Sequence, residues 1–321
     1  MKEIKISEIE NISIGQVENE EAATGCTVFL CPQGMPTGLD VRGGGPASRE
    51  SELLKPMAAA GAIHAITLAG GSAYGLDAGG GVMQCLEEND IGLDVGVCKV
   101  PLVCQADLFD LTVGSSEIRP DKEMGYQAAR KALAGGNYRD GNYGAGCGAT
   151  VGKWCGMDTC MKSGIGSYAV QVGDLKVGAV VAVNALGDIY DWKKAEKVAG
   201  LLAADGKGFR DTMQVMLAKT DIIENKFVGN TTIGVVITNA SFDKSRLCKI
   251  AGMAQNGYAR SIRPVHTSAD GDSIFAVSVG NVQADQDIVG SLAADVMSEA
   301  ILQAVYHAKA AYGYPAANDL T

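Results

Sequence analysis

Basic side chains are in deficit. The chain carries 27 Lys and Arg against 37 Asp and Glu, so its net charge is 27 − 37 = −10. Nucleic-acid phosphates are held by clustered cations, and this balance argues against such a partner. Apolar runs of ~20 residues without charge are absent, so no bilayer-spanning segment is expected. The opening residues, MKEIKISEIENISIG, lack the apolar core and small-residue cleavage site of a secretion signal. A cytoplasmic protein is expected. None of the nine cysteines forms Cys-x-x-Cys. Cys26/Cys31 and Cys155/Cys160 have no His or third Cys nearby to complete a zinc site, so the thiols read as small apolar residues kept reduced. Histidine is scarce, and His64, His266 and His307 show no metal-binding spacing. His64 lies in an apolar run and reads as a core residue. Gly-x-Ser-x-Gly, the elbow of many serine hydrolases, is missing.

Charged residues are only 20% of the chain, which excludes extensive disorder, and 47% apolar residues suffice for a sizeable core. At roughly 150 residues per domain, 321 residues allow one large domain or two ordinary ones. No repeat, low-complexity block or linker divides them. Apolar runs at 24–31, 62–69, 177–183, 232–238 and 273–279 read as strands. Helical spacing marks 74–88, 243–258 and 284–311, and residues 49–60 and 193–203 look helical. Residues 221–230 read as a polar loop. Strands and helices therefore interleave in an α/β or α+β pattern. Continuously apolar strands imply sheets covered on both faces, as in a layered sandwich.

Glycine is abundant, and it clusters in apolar company: Arg42-Gly-Gly-Gly-Pro46, Leu68-Ala-Gly-Gly-Ser72 and Gly144-Ala-Gly-Cys-Gly148. Linkers would pair it with Ser and polar residues, so these are ordered turns or close backbone approaches, as around a binding site. Gly144 to Ala149 imitates a dinucleotide turn, but no apolar strand precedes it. Cys147 to Trp154 imitates a phosphate loop without its first glycine or closing hydroxyl.

Asn230-Thr231-Thr232 joins the polar loop to an apolar strand. A hydroxyl fixed at a strand start can attack its own upstream peptide bond, and water then hydrolyses the ester. The chain beginning at Thr231 would carry an α-amine of intrinsic pKa roughly 7.7–8.0, a competent base without histidine. Thr beside an N-terminal amine is a known variant of the catalytic triad. By spacing alone, Thr at a strand start is ordinarily a β-branched residue that packs well.

Gly229-Asn-Thr-Thr-Ile-Gly-Val-Val-Ile-Thr-Asn-Ala240 resembles the cleavage region of the DmpA-type L-aminopeptidase/D-esterase family, which includes β-aminopeptidases and the nylon-oligomer hydrolases. Thr24 to Val28, Asp40 to Pro46, Gly70 to Asp77, Val181 to Asp188 and Tyr314 to Leu320 resemble further family segments, so the likeness spans the chain in order. The resemblance implies a four-layered α/β/β/α sandwich. It implies one domain, 1–321, that cleaves itself into 1–230 and 231–321. Thr231 matches the nucleophile, and Asn184 and Tyr143 match donors to the oxyanion. Lys153 matches a site lysine, read as a fixed charge that keeps the Thr231 amine basic. Asp270 and Asp272 match two aspartates that contact the nucleophile's hydroxyl and amine; Gly271 would supply the turn that makes them converge. The implied activity is hydrolysis of amides, or esters, of small amino-acyl substrates without metal or cofactor. Tetramers of cleaved heterodimers are implied. The same fold and threonine also suit an N-acyltransferase, or an uncleaved, non-catalytic relative.

Overall fold

The computed structural model describes residues 1–218 and 229–320. Residues 221–228 of the expected polar loop lie outside that range. Eleven strands build the two main sheets: β1 (Lys2–Ile4), β2 (Ser13–Asn19), β3 (Thr24–Met35), β4 (Thr37–Val41), β5 (Ala47–Arg49), β6 (Ile63–Ala69), β7 (Val103–Asp107), β8 (Ile165–Val172), β9 (Leu175–Asn184), β10 (Thr231–Ala240) and β11 (Ser273–Val282). The helices are α1 (Ala78–Glu88), α2 (Lys122–Leu133), the short α3 (Thr212–Leu217), α4 (Lys244–Ser261) and α5 (Gln286–Tyr306). One sheet has the order β1-β8-β9-β10-β11-β4, the other β2-β3-β6-β7-β5.

Three apolar zones stack these elements into four layers, α/β/β/α. Phe29, Ile66 and Leu68 from one sheet meet Val180, Ile233, Val235 and Phe275 from the other. The alternate residues Val177, Val181 and Val236 point outward onto α4 and α5. Cys26, Val28 and Val103 point the opposite way onto α1 and α2. Side chains alternate across a strand, so a strand covered on both faces must be apolar at every position. This is why the central strands show runs rather than alternation. α5 is long and apolar enough by composition to cross a membrane, yet two-thirds of its most apolar window is buried inside the protein.

Several elements depart from the sequence expectation. Residues 49–60 hold only a 3-10 turn, Ser51–Leu54, after β5, and 193–203 contain a short strand, Glu196–Ala199. Pro56 accounts for the first departure, since it cannot continue a helix. In the second, Lys197 reaches the buried Asp188 at 2.6 Å, so a tertiary ion pair overrides the helical composition.

Both parallel pairs are joined through helices: β6–α1–β7 and β10–α4–β11. The second crossover sets the site. β9 and β10 pair antiparallel with Asn184 opposite Thr231, and β10 and β11 pair parallel with Ile233 opposite Ser273. A further bridge aligns Asn230 with Asp270. The end of β9 and the starts of β10 and β11 therefore meet at one edge of the six-stranded sheet.

Candidate functional site

Thr231 is the first residue of β10 and only 4% exposed. Its hydroxyl donates to the carbonyl oxygen of Asn230, on the bond it would attack. The N–H of Gly271 donates to the same oxygen at 2.9 Å. A Cβ on Gly271 would stand 2.7 Å from Thr231 Oγ1 and 2.9 Å from the carbonyl of Gly45. Glycine is needed here for the close approach of the hydroxyl.

The structure brings Asn184, Lys153, Asp270 and Asp272 to this edge, each through specific bonds. Asn184 is buried at the end of β9. Its side-chain oxygen accepts from Lys153 Nζ at 2.7 Å and from the Thr150 N–H at 3.0 Å, which orients its amide. That amide donates to the carbonyls of Phe109 at 2.8 Å and Gly229 at 3.3 Å. Lys153 Nζ also donates to Gly229 at 3.1 Å and to the Asn184 carbonyl at 3.0 Å. In the unbroken chain, Asn184 and Lys153 thus hold the carbonyl one residue before the bond facing Thr231. Burial pulls Lys153 down to about 7.

Asp272 clamps the strand start. Its Oδ1 accepts from the N–H of Thr232 at 2.8 Å, and its Oδ2 meets His266 Nδ1 at 2.9 Å and accepts the His266 N–H at 3.1 Å. Asp270 Oδ2 accepts from Thr267 Oγ1 at 2.5 Å and from the Thr267 N–H at 2.9 Å. Burial, and then the charge of Asp272, push Asp270 up to about 6.

Tyr143 is carried elsewhere. The turn after it is tied to β2 and β3 by Gly144 N–H to Glu18 at 2.9 Å and Ala145 N–H to Thr27 at 3.2 Å. Its ring lies under the Arg139 guanidinium at 3.8 Å, and it borders a separate cavity with Glu20 and Tyr312. The aromatic ring beside Thr231 is Phe109. Gly229 meets that ring: a Cβ there would stand 2.0 Å from Phe109 Cδ1, and its φ is +46°.

Thr231, Phe109, Asp107, Ser72 and Gly45 line a cavity of about 120 Å³. Gly45 and Ser72 come from two of the glycine-rich segments singled out in the sequence. The first packs directly on the aspartate loop, where a Cβ on Gly43 would stand 2.3 Å from both Asp270 O and Asp272 N. Arg42 serves structure, bonding Asp40 at 2.8 Å and the Gly252 carbonyl at 2.9 Å. His64 accepts the Leu102 N–H at 3.1 Å, as suits a half-buried structural histidine. Sequence reasoning missed Phe109, Asp107, His266 and Thr150. Asp107 ends the short buried strand β7 and Phe109 lies two residues beyond it.

A larger cavity, about 780 Å³, lies between the N-terminal segment and residues 135–140. Its lining includes none of these groups.

The sequence model of peptidase family S58 matches residues 5–317. An uncharacterized aminopeptidase of Mycobacterium leprae is 38% identical, over 91% of this chain and 85% of that protein. A 6-aminohexanoate-oligomer endohydrolase of Agromyces sp. is 32% identical, over 91% of this chain and 83% of its own. Among solved structures, the L-aminopeptidase D-Ala-esterase/amidase of Ochrobactrum anthropi, described as a variant of the Ntn hydrolase fold, superposes with a TM-score of 0.66 at 17% identity. That match covers 94% of this chain and 86% of the other. A Burkholderia sp. beta-aminopeptidase gives 0.64 at 18% identity, with the same coverages. These two likenesses concern the fold.

Proposed function

The chain belongs to peptidase family S58 and is a hydrolase, and from that premise we propose that it cleaves itself between Asn230 and Thr231 and then hydrolyses amides of small amino-acyl substrates through Thr231. The observation that carries this reading is the hydrogen bond from the Thr231 hydroxyl to the Asn230 carbonyl, in a bond whose oxygen is already polarised by the Gly271 N–H. Hydroxyl and target carbonyl are buried neighbours that need no further ordering.

In self-cleavage, Thr231 Oγ1 attacks the Asn230 carbonyl carbon and loses its proton to Asp270, whose backbone pairs with that of Asn230 in an isolated bridge. Gly271 N–H supports the charge that develops on oxygen. The carbon–nitrogen bond breaks, the proton passes to the departing nitrogen, and an ester remains on Thr231. Water hydrolyses that ester, which leaves the Asn230 carboxylate and a free Thr231 amine. In turnover, the amine takes the hydroxyl proton as Thr231 attacks the substrate. Asn184 and Lys153, relieved of the Gly229 carbonyl once the preceding segment departs, become donors to the substrate oxyanion. Each such donor is worth about 3–4 kcal/mol. Assembly into tetramers of cleaved heterodimers in the cytoplasm belongs to the same proposal.

Thr231→Ala tests it. The variant is expected to run as one 33.2 kDa polypeptide and to have no amidase activity. Mass spectrometry of the wild type should find a fragment that begins at Thr231. Persistent scission in the variant, or a wild type that is active while whole, would falsify the reading.

A further inference from the structure

At the start of β10 a side chain takes the place of a strand. β11 joins β10 from Ser273, opposite Ile233. One residue earlier, the Thr232 N–H bonds to Asp272 Oδ1 at 2.8 Å. The other oxygen of that carboxyl is gripped by His266, whose main-chain N–H donates to Oδ2 at 3.1 Å and whose Nδ1 lies 2.9 Å from it. Bringing two donors of one residue to one oxygen takes a special backbone. The φ of His266 is +56°, a left-handed conformation that L residues seldom adopt and that persists where the surroundings impose it. The ring stacks on Tyr258 of α4, with centroids 6.0 Å apart and planes at 29°.

An ionised carboxylate only accepts, so Nδ1 carries the hydrogen of its contact with Asp272. Nε2 is buried and has no partner among the described residues. No hydrogen-bond chain therefore continues from this ring, and a ring so placed orients its neighbour without relaying protons.

Scission changes what that orientation is needed for. In the unbroken chain Thr231 is held from both sides, with Asn230 bridged to Asp270 and its carbonyl bonded to the Gly271 N–H. Afterwards Thr231 is a chain end, and chain ends fray unless tied down. Pairing with Asn184 secures it toward β9. Toward β11 the bond from Thr232 to Asp272 does so.

We propose that His266 is a positioning residue: by locking the Asp272 carboxyl onto the Thr232 N–H, it holds the freed Thr231 end in register for turnover, and it matters more after scission than before. This rests on Thr231 as the nucleophile.

Two full-length variants test it. His266→Gly removes the ring, keeps the main-chain donor and relieves the left-handed backbone. His266→Asn puts an amide N–H near the place of Nδ1, tolerates the left-handed region and takes up no proton near neutrality. Turnover is read on the fastest of glycyl, β-alanyl and L-leucyl p-nitroanilide. His266→Gly is expected to lose about 100-fold in kcat, the scale of a misplacement of about 1 Å, with KM within about threefold of wild type. Its scission, followed as the fragment beginning at Thr231, should slow by less than about tenfold. His266→Asn should recover kcat to within about threefold of wild type. An Asn variant as slow as the Gly variant, or scission slowed as much as kcat, overturns the proposal. If His266→Gly does not fold, His266→Asn decides by itself, near-wild-type kcat supporting the proposal and a large loss overturning it. A wild type that stays whole and hydrolyses none of the three substrates sinks the Thr231 reading instead. Wherever turnover cannot be read, amide hydrogen exchange at Thr232 decides: it is expected to be at least about tenfold faster in His266→Gly than in wild type and His266→Asn, and equal rates overturn the proposal.

Discussion

Burial raises Asp270 to about 6, and the Asp272 carboxyl beside it pushes the same way. A raised carboxyl keeps its proton further toward neutrality. Its ionised form is present above about 6 and is lost as the pH falls through that value. If Asp270 receives the Thr231 proton, the rate of self-cleavage drops tenfold per pH unit below about 6. Stopped-acid time courses of fragment formation, read on gels, check this, and an acid limb centred near the ordinary aspartate range of ~4 would remove Asp270 from the role. The residues around it show what a sequence can and cannot disclose. Thr231, Asn184, Lys153, Asp270 and Asp272 were reached through resemblance, since a threonine opening a strand is chemically unremarkable. Tyr143 lies apart from Thr231, in a place no local pattern discloses, because the turn that follows it is tied to Glu18 and Thr27, more than a hundred positions away. His266 was invisible because what marks it is its bond to Asp272, which spacing does not show.

Periodicity exposed the elements that carry their own signal. β9, β10, β11, α4 and α5 were legible because both-sided burial and helical spacing leave long apolar patterns. β2, β8 and α2 were not, since short half-polar segments take their state from what they pack on. The seat of α5 shows how tight that packing is. A Cβ on Gly166 of β8 would stand 2.2 Å from Ala304 N and 2.3 Å from Ala300 O, both backbone atoms of the helix. Gly166→Val therefore forces α5 off the sheet. The expected cost is about 3 kcal/mol or more, at the upper end for overpacking. Urea unfolding followed by far-ultraviolet dichroism measures it, and an unchanged midpoint would mean that the helix yields more easily than its backbone contacts imply.

For the whole molecule, the proposed scission before Thr231 would cut the chain without cutting the fold. Residues 231–321 contribute β10 and β11 to the middle of the six-stranded sheet, and α4 and α5 to the layer above it. β10 stays bonded to β9 on one side, where the register runs from Thr231 to Thr238. The two fragments should therefore co-elute in native gel filtration at any practical dilution and part only in denaturant. Spontaneous separation in buffer would show that the sheet is weaker than its pairing suggests. A layered sandwich was legible from uninterrupted apolar runs, and its four layers through resemblance, while sheet order was not, because it depends on pairings as distant as Lys2 with Gln171 and Val41 with Ser273, which no local pattern encodes.

The meeting of β9, β10 and β11 has a temporal consequence. Before those strands lie side by side, Gly271 is nowhere near Asn230 and the threonine alcohol swings freely, so a nascent or misassembled chain has no means of severing itself. The break would then serve as a built-in stamp of completed assembly, legible on a denaturing gel as two bands in place of one. Its new end would also emerge already sealed inside the protein, beyond the reach of cellular exopeptidases.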